Sequence, residues 1–440
     1  MKAQFFRYWE RLHSSFWFVP SILAIGATVL AFATVALDEQ AKEVLSQWEW
    51  LYSGGAEGAS AVLQTIAGSM ITIGGVVFSM TLVALTLASA QFGPRLLRNF
   101  MSDTVNQLVL GTFIATFIYC LLVMRTIRRE SEVAFVPHLS VTLGLLFALV
   151  SMAVLIYFIH HVSVSIQADE VVARVARELD EGIDRLFPED IGEAVPFEVG
   201  RDRELLATLE NEPQPVEAPT DGYLQFIDAE ALMSVAVEHD LVMQVVQRPG
   251  QYVTADRPLL LLAPAVRVSD KVRAAVSKAI LVGSQRTPSQ DLEFAISQLV
   301  EIAVRALSPG VNDPFTAIRC ADRLGSAIYR LARRPMPSPY RRDEKNRLRI
   351  VAPPVTFPEV LAASFNEIRQ NAGSSAAVTI RLMEVMAIVA ESANRPEDRH
   401  AVLMHAQLIA NAAARGLPEE ADRAIVDERL QAVLRVLNAR

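Results

Sequence analysis

The stretch Ser60–Ala90, SAVLQTIAGSMITIGGVVFSMTLVALTLASA, decides the fold class because it carries no charged residue, and the uncharged run continues to Pro94. As a helix rising about 1.5 Å per residue, roughly 30 residues would reach about 45 Å, which is longer than the hydrocarbon core of a bilayer. Such a helix must tilt, kink or project into water, and Gly74-Gly75 is the expected place for a kink. The stretch predicts a membrane span.

Three further apolar runs qualify as spans: Phe16–Leu37, Leu108–Met124 and Val136–Val164. The chain of 440 residues is 52% hydrophobic and only 20% charged, whereas soluble domains average about 25% charged residues. The long apolar runs all lie before about residue 165. We therefore predict a polytopic α-helical membrane protein whose four transmembrane helices occupy residues 1–165.

The remaining sequence predicts an α+β cytoplasmic domain. Residues 166–195 are expected to form an amphipathic connecting helix, because Val171, Val175, Leu179 and Ile183 recur every four residues. Residues 196–265 are expected to form a small β-rich module, and residues 266–440 a helical domain that ends in a bundle. The turn signals and short apolar runs of the module are typical of antiparallel strands.

The β-rich module resembles the barrel-sandwich modules of biotinyl and lipoyl type, through Ala218-Pro219 to Leu224, Arg248-Pro249-Gly250-Gln251 and the run Pro258–Leu262. The resemblance implies a small β-barrel-like unit. Covalent carriers of that type need an acceptor lysine, and no lysine occurs between Lys42 and Lys271. A carrier function is thus excluded, and a structural or assembly module remains.

The second span carries a seam of small, β-branched or hydroxylated residues at alternating steps of four and three. Its members are Thr65, Ser69, Thr72, Val76, Ser79, Val83 and Thr86. Small residues let membrane helices approach closely, so the seam could pack against other helices of one subunit or of two. Uncharged hydroxyl-bearing walls also suit small ions or water, so the seam could instead line a hydrated path in an oligomer.

Two arginines follow the second span, where Gly93-Pro94 is expected to break the helix. Arg95 and Arg98 share a face at a spacing of three residues. They could reach lipid phosphates and fix the orientation of the protein. Alternatively, they could ring the inner mouth of a pore and favour anions.

In the soluble region, two helix starts concentrate polar groups. Thr287, with Pro288 and Gln290 after it, predicts a capping box at the first start. At the second start, Asp313 or Asn312 can cap a helix whose first residue is Pro314. The polar residues near this start could simply end one helix and begin the next. Alternatively, they could bind an anion, although the negative charge of Asp313 opposes this.

Several functions are disfavoured by what the sequence lacks. No acidic or basic residue is expected inside a span, which argues against proton-coupled transport. A formal net charge of −8 argues against nucleic-acid binding. Two distant cysteines make no disulfide framework. No phosphate loop, metal-ligand spacing or nucleophile–histidine arrangement occurs, so we expect neither an enzyme nor a bound metal or cofactor.

Basic residues near the span ends predict the orientation. Eight of them fall on the side of the termini and four on the other side: Lys2, Arg7, Arg11, Arg95, Arg98, Arg174, Arg177 and Arg185 against Lys42, Arg125, Arg128 and Arg129. Both termini are therefore expected in the cytoplasm, with lipid as the surrounding partner.

Two segments resemble a bacterial family of predicted membrane proteins, domain of unknown function 2254. One runs from Phe78 through Gln91-Phe92-Gly93-Pro94 to Leu97, and the other from Gln290 to Ala317. The resemblance implies four spans, a cytoplasmic tail in the bacterial inner membrane and no assigned activity. It marks these polar residues as candidates: Gln290, Asp291, Glu293, Arg305, Ser308, Asn312, Asp313 and Thr316.

Two functions remain open. The first is a homo-oligomeric ion channel, in which the second span lines the path and the cytoplasmic domain assembles or gates it. The second is a membrane-anchored sensor or scaffold, whose cytoplasmic domain binds an unidentified partner. The channel predicts that the seam faces an axis shared by several subunits, whereas the scaffold predicts that the seam is buried within one subunit.

Overall fold

The computed structural model describes residues 17–41, 51–93, 103–128, 135–188 and 201–439. These residues divide into two compact units, one ending at Gln167 and one beginning at Ala168. Each unit has its own apolar core.

The first unit consists of four helices that are long and apolar enough to cross a membrane, as predicted. They are α1 (Phe18–Gln40), α2 (Ala56–Phe92), α3 (Thr104–Met124) and α4 (His138–Ser165). Helix α2 has 37 residues and is thus about 55 Å long. It continues through Gly74-Gly75 and ends at Phe92, where Gly93 adopts a left-handed φ of 109°. The predicted break after the second span is confirmed.

The core of this unit lies around α3, which contacts each of the other three helices. Its largest buried side chains include Phe113 and Tyr119 on α3 and Phe158 on α4. Gly111 of α3 permits the close approach of α1, since a Cβ there would lie 3.1 Å from Cα of Pro20. The helices of the unit thus share one packed core.

The expectation that no charged residue lies inside a span needs correction, because the observed helices are longer than the predicted spans and include the exposed Glu39 of α1 and Glu57 of α2 as well as a buried aspartate. Helix α1 extends beyond the predicted end at Leu37, so Asp38 falls in its last turn and is buried. The carboxylate is tolerated there because it accepts hydrogen bonds from the backbone N–H groups of Leu139 and Ser140, each at 2.9 Å. These are free amides at the start of α4, which favour a negative charge.

The second unit begins with the predicted amphipathic helix, α5 (Ala168–Leu186), whose apolar stripe is buried as expected. The elements that follow, in chain order, are α6 (Arg201–Asn211), β1 (Gln214–Glu217), β2 (Gly222–Ile227), α7 (Ala229–Glu238), β3 (Val242–Val245), β4 (Tyr252–Val253), β5 (Pro258–Ala263), α8 (Asp270–Lys278), β6 (Ile280–Gly283), α9 (Leu292–Ala306), α10 (Pro314–Ala332), β7 (Tyr340–Arg342), β8 (Leu348–Val351), α11 (Phe357–Asn371), α12 (Ala376–Ala390), α13 (Pro396–Gly416) and α14 (Glu420–Asn438).

The strands form two sheets, and no closed barrel is found among the described residues, so the barrel-like unit is not confirmed. One sheet has the order β1-β5-β3-β8-β7 and the other β4-β2-β6. Strands β6, β7 and β8 come from the region expected to be helical, beyond residue 265. They are only three or four residues long, too short for the sequence to show a strand period.

The helices of this unit pack as a bundle next to the sheets. Helix α5 contacts α9 and α10, and α9 also contacts α11. Gly325 of α10 sits against Val385 of α12, where a Cβ would come within 2.5 Å of a Val385 methyl group. The bundle expected toward the end of the chain is present.

Candidate functional site

All seven seam residues of α2 are exposed in the protomer. Their neighbours Leu63, Ile66 and Met70 on the same helix are buried in the core of the unit instead. Leu63, Ile66 and Met70 thus face the core and the seam faces outward, where α2 also exposes large apolar residues such as Phe78 and Leu82. Such an arrangement leaves the seam available to lipid, to water or to another protein.

The seam hydroxyls bond to their own helix. Those of Thr65, Thr72, Ser79 and Thr86 each donate to the carbonyl oxygen four residues earlier, at 2.8 to 3.0 Å. Each hydroxyl hydrogen is thereby used, and the remaining oxygen lone pairs face outward as acceptors. The seam can offer acceptors without needing a partner from the same chain.

Two surface grooves follow the seam. The first, of about 470 Å³, is lined by Gln64, Thr65, Gly68, Ser69, Thr72 and Ile73. The second, of about 750 Å³, runs along α2 from Thr72 to Leu87 and is also lined by Val162 and Ser163 of α4. Gly68 and Gly75 deepen this face, since a Cβ at either would meet no atom within 4 Å.

The predicted inner-mouth residues Arg95 and Arg98 lie outside the described residues, so their placement stays a prediction. The seam residues lie in the first unit, and the remaining candidates lie in the second.

The first of the two polar helix starts in the second unit has a capping residue, but it is not the predicted one. The capping box expected at Thr287 is wrong, because α9 begins at Leu292 and its cap is Asp291, which accepts from the Phe294 N–H at 3.1 Å. Thr287 donates its hydroxyl to the Gln225 carbonyl instead. Gln290 is used elsewhere, as its amide exchanges two hydrogen bonds with the backbone of Ile227, at 2.9 and 3.0 Å.

Asp291 is 5% exposed and is held by Arg286 in a two-point ion pair of 2.7 and 2.8 Å. Burial is the largest single influence and lowers the pKa of Arg286, but the hydrogen bonds and charge of Asp291 together with the charge of Glu293 outweigh it, so the net pKa is raised. Glu293 lies 3.8 Å from the same guanidinium. Sequence reasoning missed Arg286, although its position five residues before Asp291 was a usable signal.

The same aspartate touches the turn formed by Arg248-Pro249-Gly250-Gln251. Gly250 has a left-handed φ of 93°, and a Cβ there would lie 2.3 Å from Oδ2 of Asp291. Arg248 of this turn forms an ion pair with Glu359 at 2.9 and 3.0 Å. Glu359 also completes the capping box of α11 with Thr356, so the turn joins the starts of α9 and α11.

The second soluble motif is a hydrogen-bonded turn between α9 and α10. Asp313, not Asn312, caps α10 by accepting from the Thr316 N–H at 3.1 Å and its hydroxyl at 2.5 Å. Ser308 donates to the carbonyl of Arg305, whose guanidinium lies 3.5 Å from Glu301. The Asp313 carboxylate thus occupies the helix start where an anion would bind.

Sequence reasoning also missed a buried polar cluster that joins three membrane helices. Besides its backbone contacts, Asp38 accepts from the Ser140 hydroxyl at 2.7 Å. Tyr119 of α3 donates to the Ser140 carbonyl and lies 3.1 Å from the Thr34 hydroxyl of α1. Each polar side chain of this cluster has a hydrogen-bond partner within it, which indicates that the cluster holds the three helices together. No local pattern could reveal it, because its members are up to about a hundred residues apart.

A metal site receives no support within the part of the chain that the structure describes, where no group of three or more histidine, cysteine or carboxylate side chains could hold an ion. One histidine does contact a carboxylate: Nε2 of His161 on α4 lies 2.9 Å from Oδ2 of Asp103, the cap of α3. This contact is another tie between helices.

Comparison with known proteins identifies relatives over most of the chain. The family described as "Predicted membrane protein (DUF2254)" matches residues 13–387, which include the α2 seam and both soluble motifs. Uncharacterized proteins of Mycobacterium tuberculosis and Mycobacterium bovis are each 34% identical over 382 residues, covering 86% of this chain and 72% of the relative. No solved structure matches the chain.

Proposed function

This chain belongs to the DUF2254 family of predicted membrane proteins, and on that premise we propose that it forms a homo-oligomeric pore for small ions. Helix α2 lines the path through its seam, and the unit from residue 168 onward serves assembly or gating. The observation that carries the proposal is the exposure of all seven seam residues in the protomer.

The seam differs from the other outward faces of the unit. Helices α1 and α4 expose large apolar side chains such as Ile25, Phe32, Leu149 and Ile156, which suit contact with lipid. The α2 seam exposes threonine or serine at five of its seven positions and the smaller apolar valine at the other two, Val76 and Val83. A lipid-facing surface gains little from such residues, whereas a hydrated wall or a close helix contact uses them.

The hydroxyl geometry supports water or cations as the contents of the path. Because each of the four hydroxyls donates to its own helix, it presents only lone pairs to the path. Lone pairs accept hydrogen bonds from water and coordinate cations. An anion preference would need a separate source, such as Arg95 and Arg98 at the mouth.

A second function is favoured by one observation. Gly68 and Gly75 are seven residues apart and leave open space on the seam, as a closely packed, dry contact between two copies of α2 requires. In that case the seam would be buried between two copies and not within one subunit, as was expected for a scaffold, since it is exposed in the protomer. The protein would then be a membrane-anchored scaffold or sensor, and the second unit would bind an unidentified partner.

We further propose a location in the bacterial inner membrane with both termini in the cytoplasm, supported by the distribution of Lys and Arg around the spans. Labelling of single cysteines introduced after Arg11 and at Ser284 with an impermeant thiol reagent in intact cells tests this. Both should be protected until the membrane is opened; labelling of either in intact cells would contradict the orientation.

The pore is tested by recording currents from the purified full-length protein in planar bilayers. Thr72→Leu and Ser79→Leu should each reduce the unitary conductance severalfold, because a larger apolar side chain narrows and dries the path. The matched control is Thr81→Leu. Thr81 donates to Val77 in the same manner but lies off the seam and is half-buried, so its variant should conduct as wild type does.

Silence of the wild type over a range of voltage, membrane tension and salt would remove the pore and leave the scaffold. Currents that respond equally to Ser79→Leu and Thr81→Leu would place the path elsewhere.

A further inference from the structure

The turn between α9 and α10 exposes apolar side chains although it belongs to the soluble unit. Phe315 is 72% exposed and Val311 is 49% exposed, and Pro309 beside them is exposed as well. We call these three residues the apolar tip. Full exposure of a phenylalanine to water is unfavourable, so the tip would gain from an apolar environment, which the described residues do not supply.

Hydrogen bonds hold the tip in place. The N–H of Asn312 donates to the Ser308 carbonyl at 2.9 Å, and that of Asp313 donates to the Ala306 carbonyl at 2.7 Å. Asp313 then caps α10. The backbone is thus fixed by polar contacts, and the apolar side chains of the tip are not needed to stabilise the turn.

Ion pairs show at which end of α5 the tip lies. Asp169 and Asp180 of α5 pair with Arg319 and Arg330 of α10, and Asp184 of α5 pairs with Arg334, two residues after the end of α10. The two helices therefore run parallel, and the start of α10 lies at the start of α5. Phe315 is one turn before Arg319 and is level with the first residues of α5.

The direction of helix α9 independently places the tip at the start of α5. Its first residue, Leu292, lies near Gly182 toward the end of α5, and Arg185 donates to the Pro288 carbonyl at 2.9 Å. Helix α9 thus begins at the end of α5 and runs back along it. The turn that follows α9 must lie at the start of α5.

The start of α5 is tied to a membrane helix by the chain itself. Only Ile166 and Gln167 separate α5 from the last residue of α4. Three residue steps span at most about 11 Å, so the first residue of α5 stays within that distance of the end of a candidate membrane span.

We propose that the apolar tip inserts into the phospholipid surface, at the boundary between headgroups and acyl chains. Phenylalanine and other apolar side chains favour that zone when they project from a fixed turn. This assignment does not depend on conduction by α2. It gives the Ser308–Pro314 motif a role in holding the soluble unit to the bilayer.

Nitroxide labels on the full-length protein in phospholipid vesicles test the proposal. Val311→Cys and Pro309→Cys provide two positions in the tip, so a failure of one variant to fold does not end the test. The native Cys120 and Cys320 are both buried; protein without an added cysteine gives the background. The matched control is Pro288→Cys, which is exposed and lies at the opposite end of α5.

Collisions with molecular oxygen, which enters lipid, should exceed collisions with a water-soluble nickel chelate at positions 311 and 309, with the reverse order at 288. Frequent collisions with the nickel chelate at the tip would place it in water and overturn the proposal. Low access to both reagents would show that protein covers the tip, which overturns it as well.

Discussion

Arg248 and Glu359 illustrate how single residues connect separate parts of the second unit. Arg248 lies in a turn between β3 and β4, whereas Glu359 lies in the first turn of α11. Hydrogen bonds from Arg248 hold the pKa of Glu359 down at about 2, well below its usual 4.5. The ionised form is thus favoured by folding, and its contribution depends on pH.

We expect Glu359→Gln to lower the thermal unfolding midpoint at neutral pH, by a few degrees at most because the pair is partly exposed. The folded pKa is depressed, so the stabilisation is complete above pH 4.5 and is lost as the pH falls toward 2. Midpoints of wild type and variant, measured by differential scanning fluorimetry over this range, should converge at the acid end.

Glu367→Gln provides the control on the same helix, since Glu367 is exposed. Its midpoint should follow that of the wild type at each pH. A constant gap between Glu359→Gln and wild type down to pH 2 would contradict the linkage.

Residues whose partners are close in sequence were the predictable ones. Asp313 caps the helix that starts one residue later, and the sequence had narrowed this cap to Asp313 or Asn312, just before Pro314. Asp291 was harder to assign, because Thr287 offers an equally good local pattern. The choice depends on Gln225 and Arg286, which engage Thr287 and Asp291 respectively, and only the fold brings Gln225 near.

At the scale of elements, the start of α4 depends on a cap that another helix provides. Pro137 precedes α4 and supplies no side-chain cap. The carboxylate of Asp38 on α1 accepts from two amides and one hydroxyl of α4. The ends of two membrane helices are thereby fixed to each other.

Asp38→Asn should lower the free energy of unfolding in detergent by about 1 to 2 kcal/mol, since a helix cap and the charge that favours the helix dipole are both weakened. Equilibrium unfolding followed by circular dichroism measures this. The neighbouring Glu39 is exposed, so Glu39→Gln should leave the unfolding curve unchanged. Equal losses in both variants would show that the cap contributes nothing specific.

The four membrane helices were predictable because each needs a long apolar run that few other structures share. The strands of the second unit were not predictable in this way. Strand β8 pairs in parallel with β3, about a hundred residues earlier, and β7 is a basic segment, Tyr340–Arg342, without an apolar period. Their pairing is set by long-range packing that short sequence windows do not contain.

At the scale of the whole molecule, the protomer leaves its α2 seam exposed, and association of several copies would cover it. The proposal therefore predicts that seam residues of different subunits lie near each other. Exposed residues on α1, such as Ile25, should face lipid instead.

Ser79→Cys should be cross-linked between subunits by bismaleimides in native membranes, with a yield that depends on reagent length. Ile25→Cys, on α1, should remain monomeric with the same reagents. Gel mobility after denaturation reports the outcome. If the two variants cross-link equally, or if Ser79→Cys does not cross-link with a reagent of any length, assembly through α2 is ruled out.

The paired charges recur at identical intervals, eleven residues and then four, along α5 and along the stretch from Arg319 of α10 to Arg334 just beyond its end. A displacement by four residues, close to one turn and about 5.4 Å, would bring Asp169 opposite the exposed Arg323 and Asp180 opposite Arg334. Only Asp184 would lose its arginine. The spacing of the charges alone therefore permits two relative positions of these helices. The hydrogen bonds from Arg334 to the carbonyl oxygens of Ile183 and Phe187, together with the apolar contacts between the helices, select one of them.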